Sequence, residues 1–252
     1  MNQTTPAARH TLAHGEVHIW KLETEPKADL EPYSRLLSPE EQNRAARFRF
    51  PHLTHNFVVD HGRMRLIIGS YTGIAPEDIA YSVNEFGKPE LANPEAADLP
   101  GRLRFNLSHT EGLALLAVCL DADIGVDVEA VRAINDLKLI AQSHFSPREI
   151  AALQDFAPAE QQLAFFRCWT RKEAFLKAHG QGLSIPLDSF AVSLAEEDRP
   201  VLLDCRWKPE EVNRWSFFSL DPGRGYASAL AIEGAQWRIC WALWANRQII
   251  RA

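Results

Sequence analysis

Hydrophobic and polar positions change their period several times along this chain. Val17-His18-Ile19-Trp20-Lys21-Leu22 alternates, as a half-buried strand does. Leu37-Ser38-Pro39-Glu40-Glu41 reads as a helix start: Ser38 as N-cap, Pro39 at the first helical position, Glu41 completing a capping box. This helix is expected to run through Arg44 and Arg47 to about Phe48. A second helix, over about Thr54 to Tyr71, turns Phe57, Met64, Ile67 and Ile68 inward, with Arg63 and Arg65 between them. Ile74 to Ile79 forms a turn that leads into a strand from Ala80 to Val83. Phe86-Gly87-Lys88-Pro89 places a lysine in a stiff turn, and residues 90–102, rich in Pro, Ala and Asp, read as a surface loop. Phe105 to Leu107 and Leu113 to Leu120 make a hairpin.

The second half follows the same plan. Phe145-Ser146-Pro147-Arg148-Glu149 is again a Ser cap, a Pro, and a Glu three residues after the cap. A long helix is expected from about Glu160 to Ala178. Leu183 to Phe190 echoes the Ile74 turn, a strand follows over Ala191 to Leu194, and Trp215 to Leu220 with Tyr226 to Ile232 forms a second hairpin. Gly223-Arg224-Gly225 is the turn of that hairpin, since it lacks the strand–turn–helix context of a phosphate loop. The pattern implies an α+β protein with an internal duplication. It predicts a two-lobe fold, residues 1–120 and 121–252, each lobe a small antiparallel sheet packed by helices, with a site between them.

At the junction stands Ile124-Gly125-Val126-Asp127-Val128-Glu129. Strict alternation sends Ile124, Val126 and Val128 into a core and Gly125, Asp127 and Glu129 to the opposite face, which Gly125 is expected to leave open. Carboxylates two apart on a strand lie about 6.5–7 Å from each other. They repel unless a positive group sits between them, and a hard divalent cation suits that place. On the long helix, Glu173 shares a stripe with Phe166, Trp169 and Leu176, so its acid lies on a largely apolar face. Two partners are open to it: Lys177 one turn on, or the same cation as Asp127 and Glu129. Asn106-Leu107-Ser108-His109-Thr110 ends a strand with small polar groups. Adjacent strand residues face opposite sides, so Ser108 and His109 are poorly set as a nucleophile–base couple; binding a phosphate suits them better.

Composition narrows the classes. The chain has 27 Lys and Arg against 33 Asp and Glu, so no global basic field points to nucleic acid. An anionic ligand needs a local basic pocket. The four cysteines are far apart, without a Cys-x-x-Cys pair, and are expected as buried small hydrophobes. Residues 1–15 are polar, and no apolar run approaches membrane-spanning length. The expectation is a soluble, cytoplasmic protein.

Taken in order, Gly87-Lys88-Pro89, Phe105-Asn106-Leu107-Ser108-His109, Ile124 to Glu129, Phe145 to Glu149 and Trp169-Thr170-Arg171-Lys172-Glu173-Ala174-Phe175-Leu176-Lys177 resemble the phosphopantetheinyl transferase superfamily. The likeness is to its longer, two-lobed type, which activates nonribosomal peptide, polyketide and fatty acid synthesis. It runs from about Leu37 to Leu194, and weakly to Ile232. The resemblance implies coenzyme A as donor and an acyl or peptidyl (aryl) carrier protein as acceptor, with 3′,5′-ADP released. It implies Mg²⁺ held by Asp127, Glu129 and Glu173, and catalysis by Glu173, Asp127 and Lys177. It implies coenzyme A contacts from Lys88, Ser108, His109, Lys172 and Lys177. Three positions depart from the family pattern: Glu41 where many members have lysine, Asn56 where an arginine often touches the 3′-phosphate, and Thr110 for serine. Arg44, Arg47, His55 or Arg63 is then expected to serve the 3′-phosphate. The duplication implies a monomer. Two other readings share these residues: a Mg²⁺-dependent coenzyme A phosphohydrolase, and a non-catalytic module that binds coenzyme A or carrier domains.

Overall fold

The computed structural model describes residues 9–93, 99–196, 199–244 and 248–250. The first half runs β1 (Glu16–Glu23), α1 (Glu31–Ser34), α2 (Pro39–Ala46), α3 (Pro51–Thr72), β2 (Tyr81–Val83), β3 (Pro89–Leu91), β4 (Leu103–Thr110) and β5 (Leu113–Leu120). The second half runs β6 (Ile124–Ala130), α4 (Leu137–His144), α5 (Pro147–Asp155), α6 (Pro158–His179), β7 (Phe190–Val192), β8 (Leu202–Cys205), β9 (Trp215–Ser219), β10 (Tyr226–Glu233), β11 (Arg238–Leu243) and β12 (Gln248–Ile250).

Strand β5 shows how the layers are stacked. Ala114, Leu116, Val118 and Leu120 pack with Met64, Ile67, Ile68 and Tyr71 of α3. Leu113, Leu115, Ala117 and Cys119 pack with Ile124, Val126 and Val128 of β6 and with Leu230 and Ile232 of β10. A strand covered on both faces has no polar side to keep, so β5 is apolar throughout. On the far side of β6 and β10, Ala174, Phe175 and Ala178 of α6 pack with Ala229, Ala231 and Phe217. The order is α3, a five-stranded sheet, a three-stranded sheet, α6. Burying Ile124, Val126 and Val128 between the sheets contributes about 1.5–3 kcal/mol per side chain.

The sheets are ordered β12-β11-β1-β5-β4 and β6-β10-β9, with β2-β3 and β7-β8 as separate pairs. One pairing breaks the expected division at residue 120: β11 lies parallel to β1, with Glu16 opposite Arg238. The end of the second half therefore completes the sheet of the first, whose other pairings are antiparallel. Residues 94–98, part of the expected 90–102 loop, lie outside the described residues, and Pro89–Leu91 of its surroundings is strand β3.

The two halves share a detailed plan. Helices α3 and α6 each span 22 residues, begin with Pro, and end at a glycine in the left-handed region, Gly73 (φ 76°) and Gly180 (φ 77°). Both capping boxes form, at Ser38/Glu41 and Ser146/Glu149. Each cap glutamate then takes a buried cation from the long helix. Glu41 accepts from Arg65 Nε at 2.7 Å, and Glu149 accepts from Lys172 Nζ at 2.7 Å. Each cation also holds the chain that follows: Arg65 donates to Pro76 and Ile79 carbonyls, Lys172 to the Phe190 carbonyl. Arg63 and Arg65 are thus interior groups, not spacers between inward residues. Helix α4 was not expected from the sequence, and α3 and α6 start three and two residues earlier than predicted, each at its proline. All four cysteines are buried.

Candidate active site

Strands β4 and β6 belong to different sheets, yet they lie side by side. Their seam is made by side chains. Asn106 Oδ1, Ser108 Oγ and Thr110 Oγ1 accept the backbone N–H groups of Val126 (2.9 Å), Val128 (3.3 Å) and Ala130 (3.0 Å). Alternation puts these three polar residues on one face of β4, where they stand in for the missing backbone ladder. The cluster expected to bind phosphate is, in the first place, the stitching between the halves. His109 faces away from Ser108 and is exposed.

Across the seam comes α6. A Cβ at Gly125 would lie 2.2 Å from the Ala174 carbonyl oxygen and 2.3 Å from the Ala178 nitrogen. The face at Gly125 is therefore not open: the glycine lets the helix backbone rest directly on the strand. This contact brings the stripe Trp169, Glu173, Lys177, all half-buried, beside Asp127. Lys177 Nζ donates to Asp127 Oδ1 at 2.6 Å, Ser108 Oγ at 2.9 Å and the Val126 carbonyl at 3.3 Å. Ser108 Oγ donates to the same Asp127 oxygen at 2.9 Å. Lys177 is thus turned to Asp127, and not to Glu173 one helical turn back.

Three carboxylates share this place. Asp127 is 4% exposed, and its Oδ2 meets no hydrogen-bond donor among the described residues. Burial raises the Glu173 carboxyl above its ordinary value; Asp127 and then Glu129 raise it further, against the pull of Lys177. Glu129 is raised likewise, by burial first and then by Asp127, and accepts a 3.4 Å bond from Thr110. Among the described residues no three His, Cys, Asp or Glu side chains are gathered closely enough to enclose a metal ion by themselves. The donor set nonetheless suits Mg²⁺, which takes one or two carboxylates and completes its shell with water and phosphate oxygens. A buried, unpartnered carboxylate oxygen with two mutually repelling acids nearby is the kind of donor set that a hard cation takes.

Two clefts flank the seam. One of about 450 Å³ reaches β4 at Thr110 and is lined by Phe57, Asn56, Asp60, His61 and His109. The other, about 250 Å³, reaches β4 at Asn106 and is lined by Lys88, Glu173, Lys177 and Gly180. Ser108 and Asp127 lie between them. Although much of the His109 residue surface is exposed, desolvation of its ring against the wall of the first cleft lowers its pKa, and Lys177, His61 and Arg44 push it the same way. The exposed Arg44 places its guanidinium 5.3 Å from the Phe57 ring at the edge of the first cleft.

Several expected ligand contacts lie elsewhere. Lys172 is 1% exposed, paired with Glu149 and the Phe190 carbonyl inside the second half, so its amine faces neither cleft. Arg63 is fully buried on Glu25 and the Glu23 carbonyl. The His55 ring donates to the Ala28 carbonyl at 3.2 Å. Glu41 is turned to His61 and Arg65. Conversely, the stitching roles of Asn106 and Thr110 and the contact at Gly125 were not read from the sequence. The signals were there: small polar residues on alternate positions of one strand, and a lone glycine inside another.

Comparison with known proteins places the chain. Residues 123–231 match the family described as the 4′-phosphopantetheinyl transferase superfamily, and residues 24–121 match the family described as 4′-phosphopantetheinyl transferase, N-terminal. The 4′-phosphopantetheinyl transferase HetI of Nostoc sp. is 34% identical over 229 residues, 90% of this chain and 92% of that protein. The 4′-phosphopantetheinyl transferase Sfp of Bacillus subtilis is 32% identical over 167 residues, 66% and 70% of the two chains. A second Bacillus subtilis protein, 4′-phosphopantetheinyl transferase ffp, is 35% identical over 65% of this chain and 69% of its own. The chain belongs to the 4′-phosphopantetheinyl transferase superfamily, in its longer, Sfp-like type, and is an enzyme of the transferase class.

Proposed function

We propose that this enzyme transfers the 4′-phosphopantetheine group of coenzyme A to a serine of an acyl or peptidyl carrier protein, in a Mg²⁺-dependent reaction that releases 3′,5′-ADP. The observation that carries the reading is the site at the seam: Asp127 Oδ2 without a donor, Glu129 and Glu173 beside it with raised pKa values, and Lys177 opposite, between two clefts.

In this reading the carrier serine oxygen attacks the β-phosphorus of coenzyme A, and the bond from that phosphorus to the bridging oxygen breaks. The bridging oxygen leaves on 3′,5′-ADP. Glu173 takes the serine proton, directly or through water. Its raised pKa makes it a stronger proton acceptor than an ordinary carboxylate. Lys177, fixed by Asp127 and Ser108, sets a positive charge beside the phosphate oxygens. Asp127 and Glu129, with Glu173, would hold the Mg²⁺. The ion when bound neutralises phosphate oxygens and the charge developing on the leaving group. His109 and Arg44, at the first cleft, serve the nucleotide end of the donor. Among the described residues no helix is long and apolar enough to cross a membrane, and the same reading has the enzyme acting as a cytoplasmic monomer.

The test is mass spectrometry of an apo carrier protein incubated with enzyme, coenzyme A and Mg²⁺. Transfer adds a phosphopantetheine mass to one serine. Loss of phosphopantetheine from coenzyme A without that adduct would instead indicate a hydrolase, and no change in either a binding module. Asp127→Ala should lower the rate on the order of 10³-fold or more, the effect of losing a main electrostatic stabiliser. Near-normal transfer by that variant in excess Mg²⁺ would remove Asp127 from the metal site.

A further inference from the structure

The turn between β2 and β3 belongs to the first half, yet its Asn84 and Lys88 side chains reach the end of α6. Asn84 shapes the turn, its Oδ1 accepting the Phe86 and Lys88 backbone N–H groups at 2.9 Å each. Its Nδ2 donates to the Gly180 carbonyl at 2.9 Å. Lys88 Nζ donates to the Ala178 carbonyl at 2.8 Å and the Ile124 carbonyl at 3.1 Å. The first of these is among the last carbonyls of α6, which have no partner within the helix. The second opens β6. A Cβ at Gly180 would lie 3.1 Å from both Asn84 Nδ2 and Lys88 Cδ, so the turn is packed against the helix cap as well as bonded to it.

We propose that Lys88 is a positioning residue: it ties the start of β6 to the end of α6, and so fixes the distance between Asp127 and the Glu173–Lys177 face, instead of binding phosphate. The two carbonyls it holds flank the point where Gly125 meets Ala174 and Ala178. A cation there also meets the negative end of the helix dipole. Two of its three N–H groups are committed to the protein, which leaves at most one for a ligand. Burial holds its pKa down to about 8, with Arg104 also lowering it and Asp123 and Glu90 opposing, so the amine is cationic at neutral pH without a carboxylate in hydrogen-bond reach.

The catalytic consequence rests on the transferase reading above; the structural one does not. Lys88→Met keeps the apolar stem and removes the donors. In the ligand-free protein, hydrogen exchange of peptides covering residues 124–130 and 174–180 should quicken about tenfold or more, as local opening becomes easier. A phosphate ligand would leave that exchange unchanged, and this result would overturn the proposal. In transfer assays kcat should fall about 10- to 100-fold, while the calorimetric Kd for coenzyme A stays within about threefold. A Kd raised about tenfold with kcat preserved would make Lys88 a ligand after all. A wild-type enzyme that transfers nothing would count against the transferase reading and leave the exchange result standing. Should Lys88→Met fail to fold, Asn84→Ala, which leaves Lys88 in place but loosens its turn, decides. It should show the same split at about 3- to 10-fold in kcat, and unchanged kcat and exchange would overturn the proposal.

Discussion

Gly125→Ala tests whether the site depends on backbone-to-backbone contact between α6 and β6. The added methyl would sit 2.2 Å from the Ala174 carbonyl oxygen, 2.3 Å from the Ala178 nitrogen and 2.8 Å from the Lys177 carbonyl carbon. These are helix backbone atoms and cannot rotate aside. Restoring ordinary contact at about 3.2–3.4 Å requires the helix to retreat by roughly 1 Å. Overpacking of this kind costs about 1–3 kcal/mol, which lowers Tm by a few degrees in a protein of this size. The catalytic cost should be larger. The long Lys177 stem can follow such a shift and keep its 2.6 Å bond to Asp127. Glu173 is shorter, adjoins Ala174, and must move with the helix. A misplacement of about 1 Å is worth about 10² in rate. The expected variant is folded, melts a few degrees early, binds coenzyme A nearly as well as wild type, and transfers about 100-fold more slowly in a stopped-time carrier assay read by mass spectrometry. A folded Gly125→Ala enzyme with kcat within about threefold of wild type would refute the reasoning. The separation of Glu173 from Asp127 would then not be set at this contact.

Other outcomes follow from residues already placed. With His55 and Arg63 committed to protein partners, Arg44 and Arg47 remain as candidates for the 3′-phosphate, and Arg44 lies beside the first cleft. Wild type should favour coenzyme A over dephospho-coenzyme A by about 10- to 100-fold in kcat/KM, and Arg44→Ala should lose that preference while using dephospho-coenzyme A normally; an unchanged preference excludes Arg44. Lys172→Met leaves Glu149 buried without its cation, so the urea midpoint should drop by the equivalent of about 3–5 kcal/mol while the Kd for coenzyme A is unchanged. A weakened Kd with normal stability would return Lys172 to the ligand. Burial raises the Asp60 carboxyl from its ordinary 3.8 to about 7, Arg63 opposing. The folded state thus holds that proton more tightly than the unfolded chain, and stability falls as pH rises from about 4 to about 7. Asp60→Asn should melt higher than wild type at pH 8 and much the same at pH 4, and equal melting curves at both would show that Asp60 carries no such strain.

Much of the fold was legible because its signals are local. The Ser-Pro-x-Glu caps, the alternation of Ile124 to Glu129 and the paired hairpins each announce themselves within six or eight residues. The repeat of those signals in the same order exposed the duplication. What stayed hidden depends on contacts between distant segments. Lys172 stands in the same helical motif as Glu173 and Lys177, and only the fold reveals that it turns inward to Glu149, as Arg65 turns to Glu41. Arg63 reads as a candidate for the 3′-phosphate, and only the fold brings it onto Glu25 and the Glu23 carbonyl. Helix α4 follows no proline and has no Glu or Gln three residues after its N-cap, so a lone Asp136, which makes no side-chain cap bond, is all that marks its start. The carboxylates were found from spacing, but the reason Asp127 meets Lys177 is Gly125, whose role depends on a helix some fifty residues later in the chain.

The parallel pairing of β1 with β11 has a consequence for how the protein is made. As the chain leaves the ribosome, β1 can find β5 early, but its other edge stays bare until Arg238–Leu243 has been synthesised. More than a hundred residues separate those two moments. During that interval an unpaired strand edge beside a finished hairpin is open to the wrong neighbour, including the same edge on another nascent chain. The ion pair between Glu16 and Arg238 fixes the register in which the late strand arrives. The first half to be translated is therefore the last to be sealed, and protection from self-association during synthesis falls to whatever shields that edge while translation runs on.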